Sequence, residues 1–266
     1  MLTTTQVTQA LFGSLRACQQ RLARLRSLEL VDCFTTPRSP RGGSVQAHWT
    51  LGRLGLDLHA AARQEPPTTP KAAKARVARL AERPTLGHLL GVNGFFTALA
   101  QHGRHRAGAG LTRWWSERTT TRMFPGVFAD GHGLWRENGR VTGFFLEFDV
   151  GGEALTVLVD KLGGYEQLAA DGGPVYPVLF SLHSRAREAN LHAALAAHPR
   201  RVPVATTVRP TADPSGPVWA LAGQPLDQRR RLADLPSDHG HDTNRNPNWT
   251  DGHLAADITT PVDDNH

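Results

Sequence analysis

The first helix that the hydrophobic pattern defines clearly runs from Ser14 to Leu30. Apolar side chains recur there at helical spacing and form a single stripe. The stripe consists of Leu15, Cys18, Leu22, Leu25 and Leu28. A shorter helical segment begins at the capping-type run Thr3-Thr4-Thr5-Gln6, and Gly13 marks a tight turn between the two. The pattern therefore predicts two helices joined by a tight turn.

The polar positions of the Ser14–Leu30 helix have the composition of a DNA-recognition helix. Glutamine can pair with the adenine edge and arginine with the guanine edge in the major groove, and further arginines can neutralise phosphates. The positions are Arg16, Gln19, Gln20, Arg21 and Arg24. An ordinary solvated cationic face is the alternative interpretation.

Two predicted strands, 30–34 and 45–50, follow this helix and enclose a loop that carries Arg38 and Arg41. Residues 1–63 thus predict a winged helix-turn-helix domain with a basic wing, whose partner would be double-stranded DNA. Such a fold normally has a further helix ahead of the segment that starts at Thr3. We expect either that the chain starts late or that the helix comes from elsewhere.

Residues 64–110 are predicted to be a linker followed by helices. Three prolines lie within 64–70, and helical patterns cover 71–82 and 86–105. These helices are expected to bridge two domains or to form a homodimer interface.

From Leu111 onward short strand patterns alternate with helical ones, which predicts an α/β sheet domain over 111–222. The predicted strands are 111–118, 123–129, 141–150, 175–182, 202–208 and 218–221, and the predicted helices are 152–170 and 184–198.

The carboxylates of this domain suggest a metal site. Asp130 is expected at the end of one strand, while Glu147 and Asp149 are two residues apart on the next and therefore share a face. Three convergent carboxylates can hold Mg²⁺, which would make nuclease chemistry possible. Lys161 is expected to face Glu147, because Glu153, Val157, Lys161 and Tyr165 repeat every four residues. The alternative is that these carboxylates pair with nearby arginines and that Lys161 is a surface residue.

Composition and charge limit the classes of protein to which this chain can belong. The hydrophobic share is 39%, and no apolar run is long enough to span a bilayer. The N-terminus shows no signal-peptide pattern, so a cytoplasmic location is expected. Residues 232–266 contain seven Asp and one Arg, which leaves a basic body suited to a polyanion. Residues 223–266 are predicted to form a disordered acidic tail.

Two arginines at the start of a predicted helix, in Ser184-Arg185-Ala186-Arg187-Glu188, are a further candidate. They would either contact phosphate or only cap the sheet.

Several motifs together resemble the replication-relaxation family of actinobacterial and other Gram-positive plasmids and mobile elements, over about residues 2–221. They include Trp114-Trp115-Ser116-Glu117, Asp130-Gly131, Phe145-Leu146-Glu147-x-Asp149-x-Gly151-x-Glu153, Lys161-Leu162-x-Gly164-Tyr165 and Arg187-Glu188-Ala189-Asn190. The resemblance implies a DNA-binding accessory of plasmid replication, relaxation or transfer. Residues 111–222 also resemble the PD-(D/E)xK restriction-endonuclease-like core, with Ala129 in place of the motif's Pro and Asp149 in place of its Lys.

Three functional hypotheses follow. The first is a non-catalytic DNA-binding accessory protein, which would act with plasmid replication or transfer proteins and needs no cofactor. The second is a Mg²⁺-dependent nicking endonuclease that uses Asp130, Glu147, Asp149 and Lys161, with Asp130, Glu147 and Asp149 as metal ligands. The third is a transcriptional repressor of plasmid genes. A tyrosine relaxase is disfavoured, since neither Tyr165 nor Tyr176 has a nearby His-x-His motif.

Overall fold

The structure is a computed structural model, and it describes residues 1–36, 46–198, 200–250 and 253–254. The chain divides into two compact units, residues 1–101 (unit 1) and 102–266 (unit 2). The helices within 71–101, expected to bridge two domains, belong to unit 1. No helix among the described residues is both long and apolar enough to cross a membrane.

Within its described residues, unit 1 combines five helices with a small antiparallel sheet. The strands are β1 (Leu2–Thr3), β2 (Val31–Thr35) and β3 (Ala47–Leu51), in the order β1-β3-β2. The helices are α1 (Thr4–Leu11), α2 (Leu15–Ser27), α3 (Arg53–Ala62), α4 (Pro70–Ala81) and α5 (Leu86–His105), the last of which ends in unit 2.

The predicted pair of helices forms as α1 and α2. Thr3 and Gln6 form a capping box at the start of α1, and the Ser14 hydroxyl caps α2 by accepting from the Ala17 N–H. Cys18 and Leu22 bury the inner face of α2 against Val7. The predicted apolar stripe is only partly correct, because its two end positions, Leu15 and Leu28, are 50% and 51% exposed.

A helix from later in the chain packs against α1. The Gln6 amide donates to the Leu90 carbonyl at 2.7 Å, the Thr97 hydroxyl donates to Gln9 at 3.2 Å, and the Asn93 amide donates to the Met1 carbonyl at 2.8 Å. All three partners lie on α5, whose apolar face is buried through Val92, Phe96 and Leu99. Helix α5 therefore completes the packing of α1 within unit 1.

Unit 2 contains a seven-stranded mixed sheet. Its strands are β4 (Ala109–Ser116), β5 (Gly131–Glu137), β6 (Arg140–Phe148), β7 (Val178–Leu182), β8 (Val204–Val208), β9 (Trp219–Leu221) and β10 (Arg229–Arg230). They follow one another across the sheet in chain order. The β6–β7 and β7–β8 pairs are parallel, and the other neighbours are antiparallel. The helices are α6 (Glu117–Met123), α7 (Leu155–Asp160), α8 (Leu162–Ala170) and α9 (Arg185–Ala196).

The start of this sheet differs from the prediction. Residues 123–129 are not a strand, because α6 runs to Met123 and a loop follows. The unpredicted strand β5 instead forms a hairpin with β6 through Asn138 and Gly139, both at positive φ (52° and 78°). A two-residue Asn-Gly turn suits the twist of antiparallel strands. Asp130 therefore precedes a strand and does not end one.

The predicted disordered tail is wrong for residues 223–250. Strand β10 joins the sheet, and the segment after it packs through Leu232 and Leu235, both 0% exposed. Polar contacts fix the next residues: Ser237 bonds both backbone groups of Gly143, and Asn248 bonds buried His132 at 3.1 Å. The polar composition of this segment suggests that the entropic cost of ordering it is too high. The buried leucines and these hydrogen bonds offset that cost. Two further short strands, β11 (Trp249–Thr250) and β12 (His253–Leu254), pair with each other.

Two neighbouring glycines of α8 give a matched test of the packing. A Cβ at Gly164 would lie 2.2 Å from the Gly126 carbonyl oxygen, whereas a Cβ at Gly163 meets nothing within 4 Å. We expect Gly164→Ala to lower the free energy of unfolding by about 1–3 kcal/mol, and Gly163→Ala to leave it unchanged or raise it by up to about 1 kcal/mol. Urea denaturation of both variants measures the difference, and equal effects would contradict this packing.

Candidate functional site

The best-defined cluster of candidate residues surrounds Glu147, which lies on β6 and is 2% exposed. The Tyr165 hydroxyl of α8 donates to its Oε1 at 2.6 Å. The Lys161 ammonium, at the junction of α7 and α8, lies 3.4 Å from its Oε2 and 3.0 Å from Glu153 Oε2. Lys161 therefore faces Glu147 as predicted, although it lies between two helices and not within the single helix predicted over 152–170.

Asp130 reaches the same place from the neighbouring strand. Gly131 pairs with Leu146 across the β5–β6 ladder, so Asp130 lies beside Glu147. The Asp130 Oδ2 accepts the Phe148 N–H at 2.7 Å, which fixes the carboxylate against the strand. The sequence predicted this neighbourhood correctly, although the strand that produces it follows Asp130.

The buried carboxylate of Glu147 is electrostatically unusual. Burial, and then repulsion from Asp130, raise its pKa to about 7, although the bonds from Tyr165 and Lys161 act in the opposite direction. Burial lowers the pKa of Lys161, but the charges of Glu147 and Glu153 outweigh it and leave that pKa above its ordinary value. Burial and the Glu147 charge raise the pKa of Tyr165 well above 10. The cluster thus holds a carboxylate that titrates near neutral pH.

Asp149 is held by a different set of residues. Arg187, on the first turn of α9, forms a two-pronged pair with it at 2.5 Å and 2.9 Å. The Gly151 N–H donates to Asp149 at 3.0 Å, and His183 lies 3.5 Å away. Burial would raise the pKa of Asp149, but the Arg187 bonds outweigh it and leave the pKa below its usual value. Pairing with arginine was the alternative interpretation of this carboxylate, and it is the one the geometry supports.

The side chains around Asp149 were not assigned to it from the sequence. Arg187 also donates to the Glu153 carbonyl at 2.6 Å. The guanidinium of Arg209 donates to the Asp149 carbonyl and lies 3.7 Å above the Phe148 ring. The sequence predicts that Arg185 and Arg187 either contact phosphate or cap the sheet, and their spacing does not indicate a carboxylate partner just beyond β6.

The expected three-carboxylate Mg²⁺ site does not fit these contacts. Both oxygens of Asp149 are bonded, mainly by Arg187, and both oxygens of Glu147 are met by Tyr165 and Lys161. Within the described part of the chain, no group of three or more His, Cys, Asp or Glu side chains is placed to hold a metal ion. Among the described residues Asp130 and Glu147 are adjacent, but both Glu147 oxygens already have partners.

The candidate DNA-contacting residues form a separate surface on unit 1. The five polar side chains predicted on α2 are all exposed, and none of these five has a hydrogen bond or ion pair to another described residue. They are Arg16, Gln19, Gln20, Arg21 and Arg24. Arg38 and Arg41, predicted at the wing tip, lie outside the described residues.

The raised pKa of Glu147 predicts a pH-dependent stability. Between pH 4.5 and about 7 the folded state holds a proton at Glu147 that the unfolded chain has already released. The stabilising contribution of this group is therefore complete below pH 4.5 and is lost as the pH rises through about 7. Relative to Glu147→Gln, the wild type should lose on the order of 3 kcal/mol of unfolding free energy across this window.

Urea denaturation over this pH range measures that loss. Asp160→Asn is the matched control, since Asp160 is exposed on α7, and it should follow the wild-type curve. Parallel wild-type and Glu147→Gln curves would refute the raised pKa.

Comparison with known proteins agrees with the motifs. The replication-relaxation family profile matches residues 1–178. This span covers all of unit 1 and the part of unit 2 that contains Asp130, Glu147, Asp149 and Lys161. No curated protein and no solved structure matches the chain. Since the match extends over more than half of its residues, the chain belongs to the replication-relaxation family.

Proposed function

We propose that this protein is a non-catalytic, DNA-binding accessory of plasmid replication, relaxation or transfer, and that unit 1 contacts double-stranded DNA through α2. The observation that carries the proposal is the exposed, unpaired polar face of α2. Family membership associates the chain with plasmid replication or relaxation, and the residues of unit 1 suggest what it does there.

The arrangement around α2 fits a winged helix-turn-helix. Helix α2 is the second of two helices joined by a tight turn, and the hairpin β2–β3 follows it directly. Strand β1, ahead of α1, pairs with β3 and gives the order β1-β3-β2. In DNA-binding proteins of this kind the second helix enters the major groove, and its exposed side chains contact base edges and phosphates.

The net charge of unit 1 also supports DNA as the partner. Residues 1–101 contain 13 Lys or Arg and five Asp or Glu, so unit 1 carries more positive charge than the whole chain, whose net charge is +6. An excess of cations on one unit favours a polyanion through counterion release.

Substitution on α2 tests this proposal. Arg21→Ala combined with Arg24→Ala should weaken binding to a fluorescent duplex and reduce the slope of log K against log salt by about 2, because two phosphate contacts are lost. Fluorescence anisotropy over a salt series measures both quantities. Arg122→Ala with Arg140→Ala removes two exposed arginines from unit 2 and should leave the wild-type values. Binding that is absent, or independent of salt, would rule out the proposal.

A metal-dependent nuclease is the second candidate, and the adjacency of Asp130 and Glu147 is what favours it. The strand order β4-β5-β6-β7-β8, with only β5 antiparallel to the rest, also accords with a restriction-endonuclease-like core. Against it stand the neutralisation of Asp149 by Arg187 and the Lys161 ammonium at Glu147.

Supercoiled plasmid separates the two candidates. We expect the wild type to leave the plasmid supercoiled in Mg²⁺ or Mn²⁺, because too few carboxylates are available for a metal. Agarose gels report the nicked fraction. Nicking by the wild type and by Asp160→Asn, but not by Asp130→Asn or Glu147→Gln, would establish the nuclease instead.

A further inference from the structure

Helix α4 has a cationic face that the α2 contacts do not use. Its buried side is formed by Leu80 together with half-buried Ala73 and Val77. Its exposed cations are Lys71, Lys74 and Arg79. The helical periodicity places Lys71 opposite Leu80, and Lys74 and Arg79 on the two flanks of that outer face. None of these three has a hydrogen bond or ion pair to another described residue.

The outer face of α4 is otherwise made of small side chains. Ala72, Ala75 and Ala78 are exposed between the cations. Glu82, just beyond the helix, is the only acidic residue in the segment from Pro70 to Glu82. Methyl groups between cations allow a flat, regularly charged surface such as a sugar–phosphate backbone to approach the helix closely.

Helix α4 also lies next to the proposed DNA-contacting elements. A groove of about 430 Å³ is lined by Arg26 from the last turn of α2, by Val31 and Asp32 of β2, and by Lys74 of α4. The acidic groups of this groove already have partners: Asp32 lies 3.6 Å from Arg26, and Glu29 lies 2.9 Å from Arg53. Lys74 therefore keeps its charge available beside the C-terminal end of α2.

We infer that α4 is a second DNA-contact surface, which binds the phosphates flanking the segment contacted by α2. This inference rests on the proposed function and extends it. Contacts of this kind fix position and add affinity without reading sequence, because they reach only the backbone. Helix α2 would then carry any sequence preference, and α4 would add uniform electrostatic attraction.

The test is a triple variant, Lys71→Ala, Lys74→Ala and Arg79→Ala, compared with the wild type in the anisotropy assay. The slope of log K against log salt should fall by about 2–3, since three phosphate contacts are lost. The preference between an A·T-rich and a G·C-rich duplex should remain as in the wild type. Alanine favours helix at exposed positions, and circular dichroism checks that the fold is retained.

Two further variants make the result specific. Lys71→Arg with Lys74→Arg keeps the charges and should bind like the wild type. Arg122→Ala, Arg140→Ala and Arg201→Ala together remove three exposed arginines from unit 2 and should leave the salt slope unchanged. If either of these two variants weakens binding as much as the α4 triple variant does, the inference is overturned.

The outcomes distinguish this inference from the proposed function. If the α4 triple variant binds like the wild type while Arg21→Ala with Arg24→Ala is impaired, the α4 surface is refuted and the proposed function stands. If the wild type does not bind duplex DNA at all, both fail.

Discussion

The architecture of unit 2 depends on a carboxylate buried within its sheet. Glu147 is almost inaccessible to water, and a charge there would be costly without partners. Tyr165 and Lys161 supply those partners and thereby connect β6 to the α7–α8 junction. Helix α8 also lies so close to the Gly126 carbonyl that position 164 has no room for a side chain. The contacts of Glu147 with Tyr165 and Lys161 therefore affect both the stability of unit 2 and any chemistry at this carboxylate.

A second ion-pair system begins two residues later and has a different character. Asp149 forms a strong pair with Arg187, whose guanidinium also reaches the Glu153 carbonyl, while the Glu153 carboxylate meets Lys161. The two systems therefore meet at Glu153. Of the three carboxylates that look like a metal site in the sequence, Glu147 is paired with Lys161 and Asp149 with Arg187, while Asp130 accepts the Phe148 N–H. A fixed cation satisfies a carboxylate as a metal would, but it leaves no open position for a substrate oxygen.

The sequence predicted most elements from local signals. Helices α1, α2 and α9 and strands β6, β7 and β8 were found from periodicity and capping residues, and the Lys161–Glu147 pairing followed from a four-residue repeat. Strand β5 was missed, although Asn138-Gly139 between Trp135 and Val141 is a strong hairpin signal. The Asp149–Arg187 pair and the ordered segment after Arg229 depend on contacts between residues far apart in the chain, which local patterns do not encode. For the same reason, composition alone suggested disorder where Leu232 and Leu235 are buried.

The packing of α5 against α1 has a consequence for synthesis of the protein. The residues of α1 emerge from the ribosome well before Leu90, Asn93 and Thr97, which complete their environment. During that interval the amide of Gln6 has no α5 carbonyl to bond, so α1 lacks its packing partner. A nascent chain must therefore reach the end of α5 before α2 is held on a complete scaffold. Fragments that end near residue 63 would permanently lack this support.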